Sequence, residues 1–304
     1  MESHYQHFNA GELTRCTQSL IKFSDLGGKL VIALAGAMST AQIGRSLAPA
    51  ILGEKIHSIS CTGANLEEDL FLLIAGDNYE TVQDWRNQSA VDDLNLNLRG
   101  MNRVTDVCIP EESAIRRVES MLLEIWKEEP RLPHEHLYAL LERIELGPRS
   151  ENSWLLAAKK MNIPILVPGW EDSTLGNLFA AACLRGDLSP DMVLGGIHYM
   201  IDFADWYKSQ TKPIGFLQIG GGIAGDFPIC VVPMLNQDLG EKVPFWSWYA
   251  QISESSTSFG GYSGAPPNEK ISWGKIGVDT PRFVIESDAT IVLPLILTCL
   301  MELE

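Results

Sequence analysis

The sequence predicts a Rossmann-like, doubly wound α/β fold, a mainly parallel sheet with helices on both faces. Three observations carry that expectation. Short apolar runs recur without alternation at 29–35, 163–167 and 213–219, as strands buried on both faces require. Each run ends in a turn of glycine, proline or small polar residues. Segments with helical spacing follow those turns, so strands and helices alternate along the chain.

Residues 1–23 read as an amphipathic helix. The strand at 29–35 breaks at Gly36, Ala37 and Met38, and Ser39-x-x-Gln42 reads as a capping box opening a helix to Leu52. A short strand at 57–61 runs into the turn Thr62, Gly63 and Ala64. Asn65 then caps a helix, with Glu68 three residues on, and Glu67 and Glu68 suit its first turn. The stretch 77–98 is polar and reads mostly as loop, and 103–109 as a connector. Helices are expected at 111–128, 133–146, 151–160 and 192–208, and the stretch 171–177 is followed by a helix through Leu184. Pro164 sits near the start of the strand at 163–167, where a missing donor is tolerated. After the strand at 213–219 come Gly220, Gly221 and Gly222, and 229–235 reads as helical. An aromatic-rich strand is expected at 245–252, a loop of serine, threonine and glycine at 253–263, and a last strand at 283–286. Asp288 heads the final helix.

No fixed-period repeat and no low-complexity linker divides the 304 residues, so one domain over 1–304 is expected, with 1–28 as its helical N-terminal segment. The net charge of -16 argues against nucleic-acid binding, which needs basic surface. It suits a cationic ligand and serves solubility equally well. The six cysteines, Cys16, Cys61, Cys108, Cys183, Cys230 and Cys299, form no CxxC pair, and His134 and His136 alone give a weak metal signal. No metal is expected, and reduced cysteines point to the cytoplasm. The start is polar rather than a signal peptide, and the longest apolar run, 289–301, is too short to span a bilayer. No membrane partner is expected.

The chemistry concentrates at 269–279, where Lys275 stands beside Trp273 and Gly274, with the apolar run 283–285 close behind. A poorly solvated amine is available in its neutral form and can attack an imine or carbonyl carbon. By itself Lys275 could be an ordinary surface lysine. Its surroundings single it out. Ser263, Gly264 and Ala265 lead in. Pro267-x-Glu269 and then Ser272, Trp273, Gly274, Lys275, Ile276, Val278 and Asp279 follow, and Asp288, Ala289 and Thr290 close the set. In content, order and spacing these elements resemble the deoxyhypusine synthase family, along 29–295 and most densely at 263–294. By itself Gly220–Gly222 is a weak dinucleotide signal, without the GxGxxG spacing.

The resemblance implies an NAD site at Met38, Ser39, Thr40 and Gln42, at Thr62, Gly63 and Ala64, and at Asp172, Glu254, Ser255, Asp288 and Ala289. It implies Lys275 as the nucleophile that carries an aminobutyl group from spermidine as an enzyme imine. Glu269 would bind a substrate amine and Trp273 would pack along its methylenes. Glu67 and Glu68 would lie at the polyamine and nicotinamide end. Asn177, Gly260, Gly261 and Tyr262 would fall in the substrate pocket. Cationic ends and an apolar middle call for such carboxylates and an aromatic wall.

The departures are as specific. Asp226 stands where the family has a histidine base, and Asn177 and Tyr262 stand where it has acids. The likeness is to the bacterial deoxyhypusine synthase-like branch. The function expected is NAD-dependent aminoalkyl transfer from a polyamine, with Lys275, Glu269 and Asp226 catalytic. The alternatives are homospermidine synthase-like transfer to a free diamine, or a non-catalytic protein that binds NAD or polyamine. The resemblance also implies a homotetramer with sites at a dimer interface.

Overall fold

The structure, a computed structural model, describes residues 3–257 and 261–302. Its centre is a six-stranded sheet built from β1 (Lys29–Leu34), β2 (Ser58–Cys61), β6 (Ile165–Leu166), β7 (Ile214–Ile219), β8 (Trp248–Ile252) and β9 (Arg282–Ile285). The order is β6-β2-β1-β7-β8-β9, and every neighbouring pair is parallel. The apolar runs without alternation are explained by this placement: β7 is buried at all six positions and β8 at all five. Lys29 pairs with Ile214 and Leu34 with Ile219, so β1 and β7 end level with one another.

Helices cover both faces. They are α1 (Phe8–Asp25), α2 (Gly44–Leu52), α3 (Gly63–Ala75), α4 (Ala90–Leu98), α5 (Arg117–Ile125), α6 (Pro133–Leu141) and α7 (Trp154–Met161), followed by α8 (Thr174–Arg185), α9 (Gly196–Ser209), α10 (Ile223–Ile229), α11 (Val231–Pro233), α12 (Glu269–Ser272) and α13 (Ala289–Glu302). α1, α13 and α2 pack in succession, with α7 on α2. α10 lies against β1, β2 and β7 and meets α9 and α11. α3 bridges α7 and α8.

Four local expectations are corrected. First, Ser39 opens no helix: α2 begins at Gly44, capped by Ile43 without a side-chain bond. The Ser39 hydroxyl instead donates to the Asn65 carbonyl at 2.7 Å, and its N–H to Asn65 Oδ1 at 2.9 Å. Second, the cap of α3 is Thr62, whose hydroxyl accepts from the Asn65 N–H. Asn65 lies inside the first turn, and its amide reaches back to the carbonyls of Leu34 and Gly36 at 3.1 and 2.9 Å. Third, the polar stretch 77–98 is not mostly loop. Ser89 and Asp92 form a reciprocal capping box at the start of α4. That helix buries only Leu96, so its apolar pattern is too thin to read. Fourth, the connector 103–109 is part of a small antiparallel sheet, in which β5 (Val107–Pro110) pairs with both β3 (Glu80–Thr81) and β4 (Met101–Val104).

Candidate active site

The parallel sheet reverses direction of growth at β1 and β7, since the chain runs outward from β1 to β2 and returns on the other side at β7. Such a switch point opens a crevice beyond the carboxyl ends of the two strands. Here a cavity of about 270 Å³ lies there, lined by Gly36, Met38, Gly220, Glu254, Ser255 and Asp288 among others. Its floor is bare backbone. Gly36 has φ +62 with open space where a Cβ would stand. At Gly220, φ +75, a Cβ would come within 2.8 Å of the Ala35 Cβ. Those two strand ends approach so closely that only glycine fits at Gly220.

This arrangement fits a dinucleotide. Backbone without side chains admits a pyrophosphate, and an exposed carboxylate at a strand end can accept from ribose hydroxyls, as Glu254 could after β8. Met38, Glu254, Ser255, Asp288 and Ala289 share the one cavity. Thr62 holds its rim by donating to the Gly36 carbonyl at 2.7 Å. Gly63 lies against Ser173, where a Cβ would stand 2.6 Å from the serine Cβ, and Ala64 is half-buried beside it. Gln42 is exposed and accepts from Arg45, and exposed Asp172 closes a turn on the Gly169 carbonyl at 3.0 Å.

The first buried cluster is a row of three carboxylates on α3. Glu67 accepts the N–H groups of Thr174 and Leu175 at 2.9 and 2.7 Å, the first amides of α8. Asp69 accepts from the Ser153 hydroxyl and from the N–H groups of Trp154 and Leu155, the first amides of α7. Both therefore sit where helix N-termini hold unpaired donors and a positive dipole end. Glu67, expected at the polyamine, has both oxygens engaged by α8. Glu68 is different. It is buried, and its Oε2 has no partner among the described residues. Burial, and then the neighbouring Glu67, push its carboxyl up to about 8, against the backbone hydrogen bond of Thr40. The Thr40 hydroxyl and the Tyr79 hydroxyl are likewise buried without a partner. Burial raises the Tyr79 phenol, with Glu68 and Glu67 adding to it.

The second cluster surrounds Lys275. α12 is four residues long, ends at Ser272 with Trp273 as its C-cap, and is followed by Gly274, φ +67. The Gly274 N–H bonds the Ile271 carbonyl and the Lys275 N–H bonds the Lys270 carbonyl, both at 3.0 Å. This is a Schellman turn, and it explains the Trp273-Gly274-Lys275 order: glycine supplies the left-handed residue that stops the helix and sets the lysine just beyond it. The Lys275 carbonyl in turn accepts from the Trp246 N–H at 3.2 Å, which ties the turn to the sheet. Lys275 is half-buried.

The fully buried amine is its neighbour. Lys270 is only 6% exposed, with its ammonium 4.9 Å from the centre of the Tyr249 ring. Burial pushes Lys270 down, Lys275 adds to that, and Asp226 and Glu269 oppose it. Asp226 leaves the first turn of α10, and its Oδ2 has no partner among the described residues. Burial raises the Asp226 carboxyl, against Lys275 and then Lys270. Beneath them the Tyr249 hydroxyl meets Gln218 Oε1 at 3.1 Å and Gln251 Oε1 at 3.0 Å.

Asp226 thus lies within electrostatic reach of Lys275 and Lys270. It leaves Glu269 and Trp273 on the outer side, with Trp273 67% exposed. Asn177 is exposed on α8, donating to the Ser173 carbonyl at 2.9 Å. Gly261 is half-buried, Tyr262 lies in the 3-10 turn Tyr262–Gly264, and Gly260 falls outside the described residues. Sequence reasoning missed Lys270, Tyr249, Gln218 and Tyr79. Only Lys270 had a signal: it stands five residues before Lys275, and a helix stopped by glycine places those two positions side by side.

His134 and His136 meet the Tyr199 hydroxyl and the Met192 carbonyl, each at 2.9 Å. No group of three or more His, Cys, Asp or Glu among the described residues could hold a metal ion, and no helix among them is long and apolar enough to cross a membrane.

A family model described as deoxyhypusine synthase matches residues 1–300. A deoxyhypusine synthase-like protein of Cyanothece sp. is 29% identical over 315 residues, covering 97% of this chain and 76% of that protein. A probable deoxyhypusine synthase of Aeropyrum pernix is 27% identical, covering 97% of this chain and 90% of its own length. A solved structure from Entamoeba histolytica, assigned as a deoxyhypusine synthase, superposes with a TM-score of 0.60 at 12% identity, over 96% of this chain and 87% of that one, which is a likeness of fold. Matched by the family model over nearly its whole length, the chain belongs to the deoxyhypusine synthase family, whose members are NAD-using transferases.

Proposed function

We propose that the protein transfers an aminoalkyl group from a polyamine to an acceptor amine through an imine on Lys275, with NAD as the hydride carrier. The observation that supports this reading is that Lys275, set beyond α12 by the Gly274 turn, lies within electrostatic reach of the half-buried Asp226, whose Oδ2 has no partner among the described residues. NAD, when bound, would supply the acceptor and then the donor of hydride for the carbon beside the donor nitrogen. The Lys275 amine adds to the resulting iminium carbon, and the C–N bond to the departing amine breaks. The acceptor amine then adds to the same carbon and Lys275 leaves. The product imine would be reduced with that same hydride equivalent, leaving a secondary amine. Asp226 would take the proton lost when Lys275 adds and give it to the departing amine. Glu68, its carboxyl raised to about 8, would serve as a hydrogen-bond donor near Thr40. Met38, Ser39, Thr40, Thr62, Gly63, Ala64, Glu254, Ser255, Asp288 and Ala289 would hold the cofactor, with Gln42 and Asp172 at its edge.

The outward Glu269 and Trp273 suit a site completed by a second copy of the chain, as a homotetramer with shared sites would supply. Light scattering at micromolar concentration should give a tetramer, and a monomer would refute the shared site. The chemistry is tested by incubating the protein with NAD and labelled spermidine or putrescine, then adding borohydride. The expected result is an adduct on the Lys275 peptide. A folded protein that binds NAD and carries no adduct would remove the mechanism.

A further inference from the structure

The interior of a parallel sheet favours Val, Ile and Leu, yet β7 and β8 bury three polar side chains between them. Gln218 is 1% exposed, Gln251 is 2% exposed and Tyr249 is fully buried. Gln218 and Gln251 are cross-strand partners, and Tyr249 stands two residues before Gln251, so all three share one face. Buried polar groups are costly unless paired, and these pair outside the strand ladder. Gln218 Nε2 donates to the Gly220 carbonyl at 3.0 Å, in the glycine turn after β7. Gln251 Nε2 donates to the Ser263 carbonyl, in the loop that carries Gly261 and Tyr262. With both amide nitrogens turned to carbonyls, both Oε1 atoms face the Tyr249 hydroxyl, at 3.1 and 3.0 Å. A phenol has one proton, so a single donor serves two acceptors. Two further segments rest on the same side chains. A Cβ at Gly225 would stand 2.8 Å from the Gln218 carboxamide carbon, so α10, which carries Asp226, lies directly on Gln218. The Lys270 ammonium is 4.9 Å from the centre of the Tyr249 ring, which seats α12 on the phenol. The turn and the loop also meet each other, since a Cβ at Gly221 would collide with Ser263.

We propose that Gln218, Tyr249 and Gln251 are the positioning residues of this site: the shared phenol proton keeps both amides turned outward, and the amides hold the glycine turn and the Ser263 end of the loop in register with α10 and α12. What those segments do rests on the transferase reading given above. The reason lies in the donor count. Without the phenol proton, two buried carbonyl oxygens are left unpaired, which is unfavourable. An amide relieves that by rotating its nitrogen inward, and it then lets go of Gly220 or Ser263. Removing one glutamine acts differently. The proton passes wholly to the oxygen that remains, and only the segment of the lost amide is released. Three side chains that merely filled space would show no such asymmetry.

The test reads each segment separately. Amide hydrogen exchange is followed by peptide mass spectrometry, from milliseconds to hours, in the full chain and in Tyr249→Phe, Gln218→Met and Gln251→Met. Methionine keeps the length of glutamine without its donor. Gln251→Met should speed exchange in peptides covering 261–266 by about tenfold, the usual scale for one lost hydrogen bond, and leave 220–226 within about twofold. Gln218→Met should do the reverse. Tyr249→Phe should loosen both segments, with peptides of β1 and α13 unchanged as the internal control. If Tyr249→Phe fails to fold, as judged by circular dichroism, the opposite selectivity of the two glutamine variants decides the matter. Equal changes in both segments for each glutamine variant, or no change in either, overturn the proposal. Borohydride trapping on Lys275 with NAD and spermidine is run on the same proteins, and Tyr249→Phe should lower the adduct by about tenfold. Full adduct on a chain whose two segments have loosened would also overturn the positioning role. If exchange divides between the segments as expected but the unaltered chain carries no adduct, the hold of the three residues on turn and loop stands and the transferase reading falls.

Discussion

Replacing Glu68 by glutamine should stabilise the protein above pH 8 and cost it about 1–3 kcal/mol below pH 4. Burial and Glu67 together raise the Glu68 carboxyl from its ordinary 4.5 to about 8 in the folded chain. Below 4.5 the group is protonated both folded and unfolded, and it contributes nothing to pH dependence. Between 4.5 and about 8 the unfolded chain loses the proton and the folded chain keeps it, so stability falls as pH rises. The rise corresponds to roughly 5 kcal/mol across that window. Glutamine removes the loss, but its amide would sit beside the unpartnered hydroxyls of Thr40 and Tyr79. Any donor left unpaired there costs about 1–3 kcal/mol, so a net gain of about 2–4 kcal/mol is expected at pH 9. Urea denaturation of both proteins at one fixed concentration, from pH 5 to 9, measures the difference. Fixed concentration matters because assembly would otherwise shift the apparent stability. Parallel curves for the two proteins would show that Glu68 is already ionised when folded, and would refute the reasoning.

Four other substitutions probe the second cluster and the frame. Lys275→Ala should abolish adduct formation with NAD binding largely intact by fluorescence, since the crevice at β1 and β7 holds no atom of Lys275; Lys275→Arg should fail as well, because guanidinium cannot attack. Near-native transfer by Lys275→Ala would overturn the assignment. Gly274→Ala forces a left-handed residue at φ +67 and should cost about 1–2 kcal/mol, lowering Tm by a few degrees in a thermal scan. The added Cβ meets only the far end of Gln237, which can move aside, so a much larger loss would contradict the turn. Asp69→Ala strips its acceptor from the Ser153 hydroxyl and two amides of α7, and should destabilise by about 3 kcal/mol or more in urea, with no direct effect on Lys275 labelling.

How much of this was legible depends on what each signal measures. Hydrophobic runs report burial on both faces, so β1, β7 and β8 could be read, because they lie inside a parallel sheet. β3 and β4 could not, because they are short and exposed or half-exposed, and antiparallel pairing at 80–110 leaves no apolar run. Capping motifs report a local choice, and at Ser39 a tertiary partner outcompeted it: Asn65 offers both an acceptor and a carbonyl from the neighbouring helix. The α3 carboxylates show the same limit at the site. Glu67, Glu68 and Asp69 are three adjacent acids, and only the arrival of α7 and α8 tells them apart. Two cap incoming helices, and the middle one is left without a partner for Oε2. A residue type therefore locates candidate chemistry, while the elements packed against it decide which member of a run is free to perform it. Lys270 and Lys275 repeat the point. Glycine 274 makes their adjacency legible in the sequence, but which amine turns inward is set by Tyr249, twenty-one residues away along the chain and in another strand.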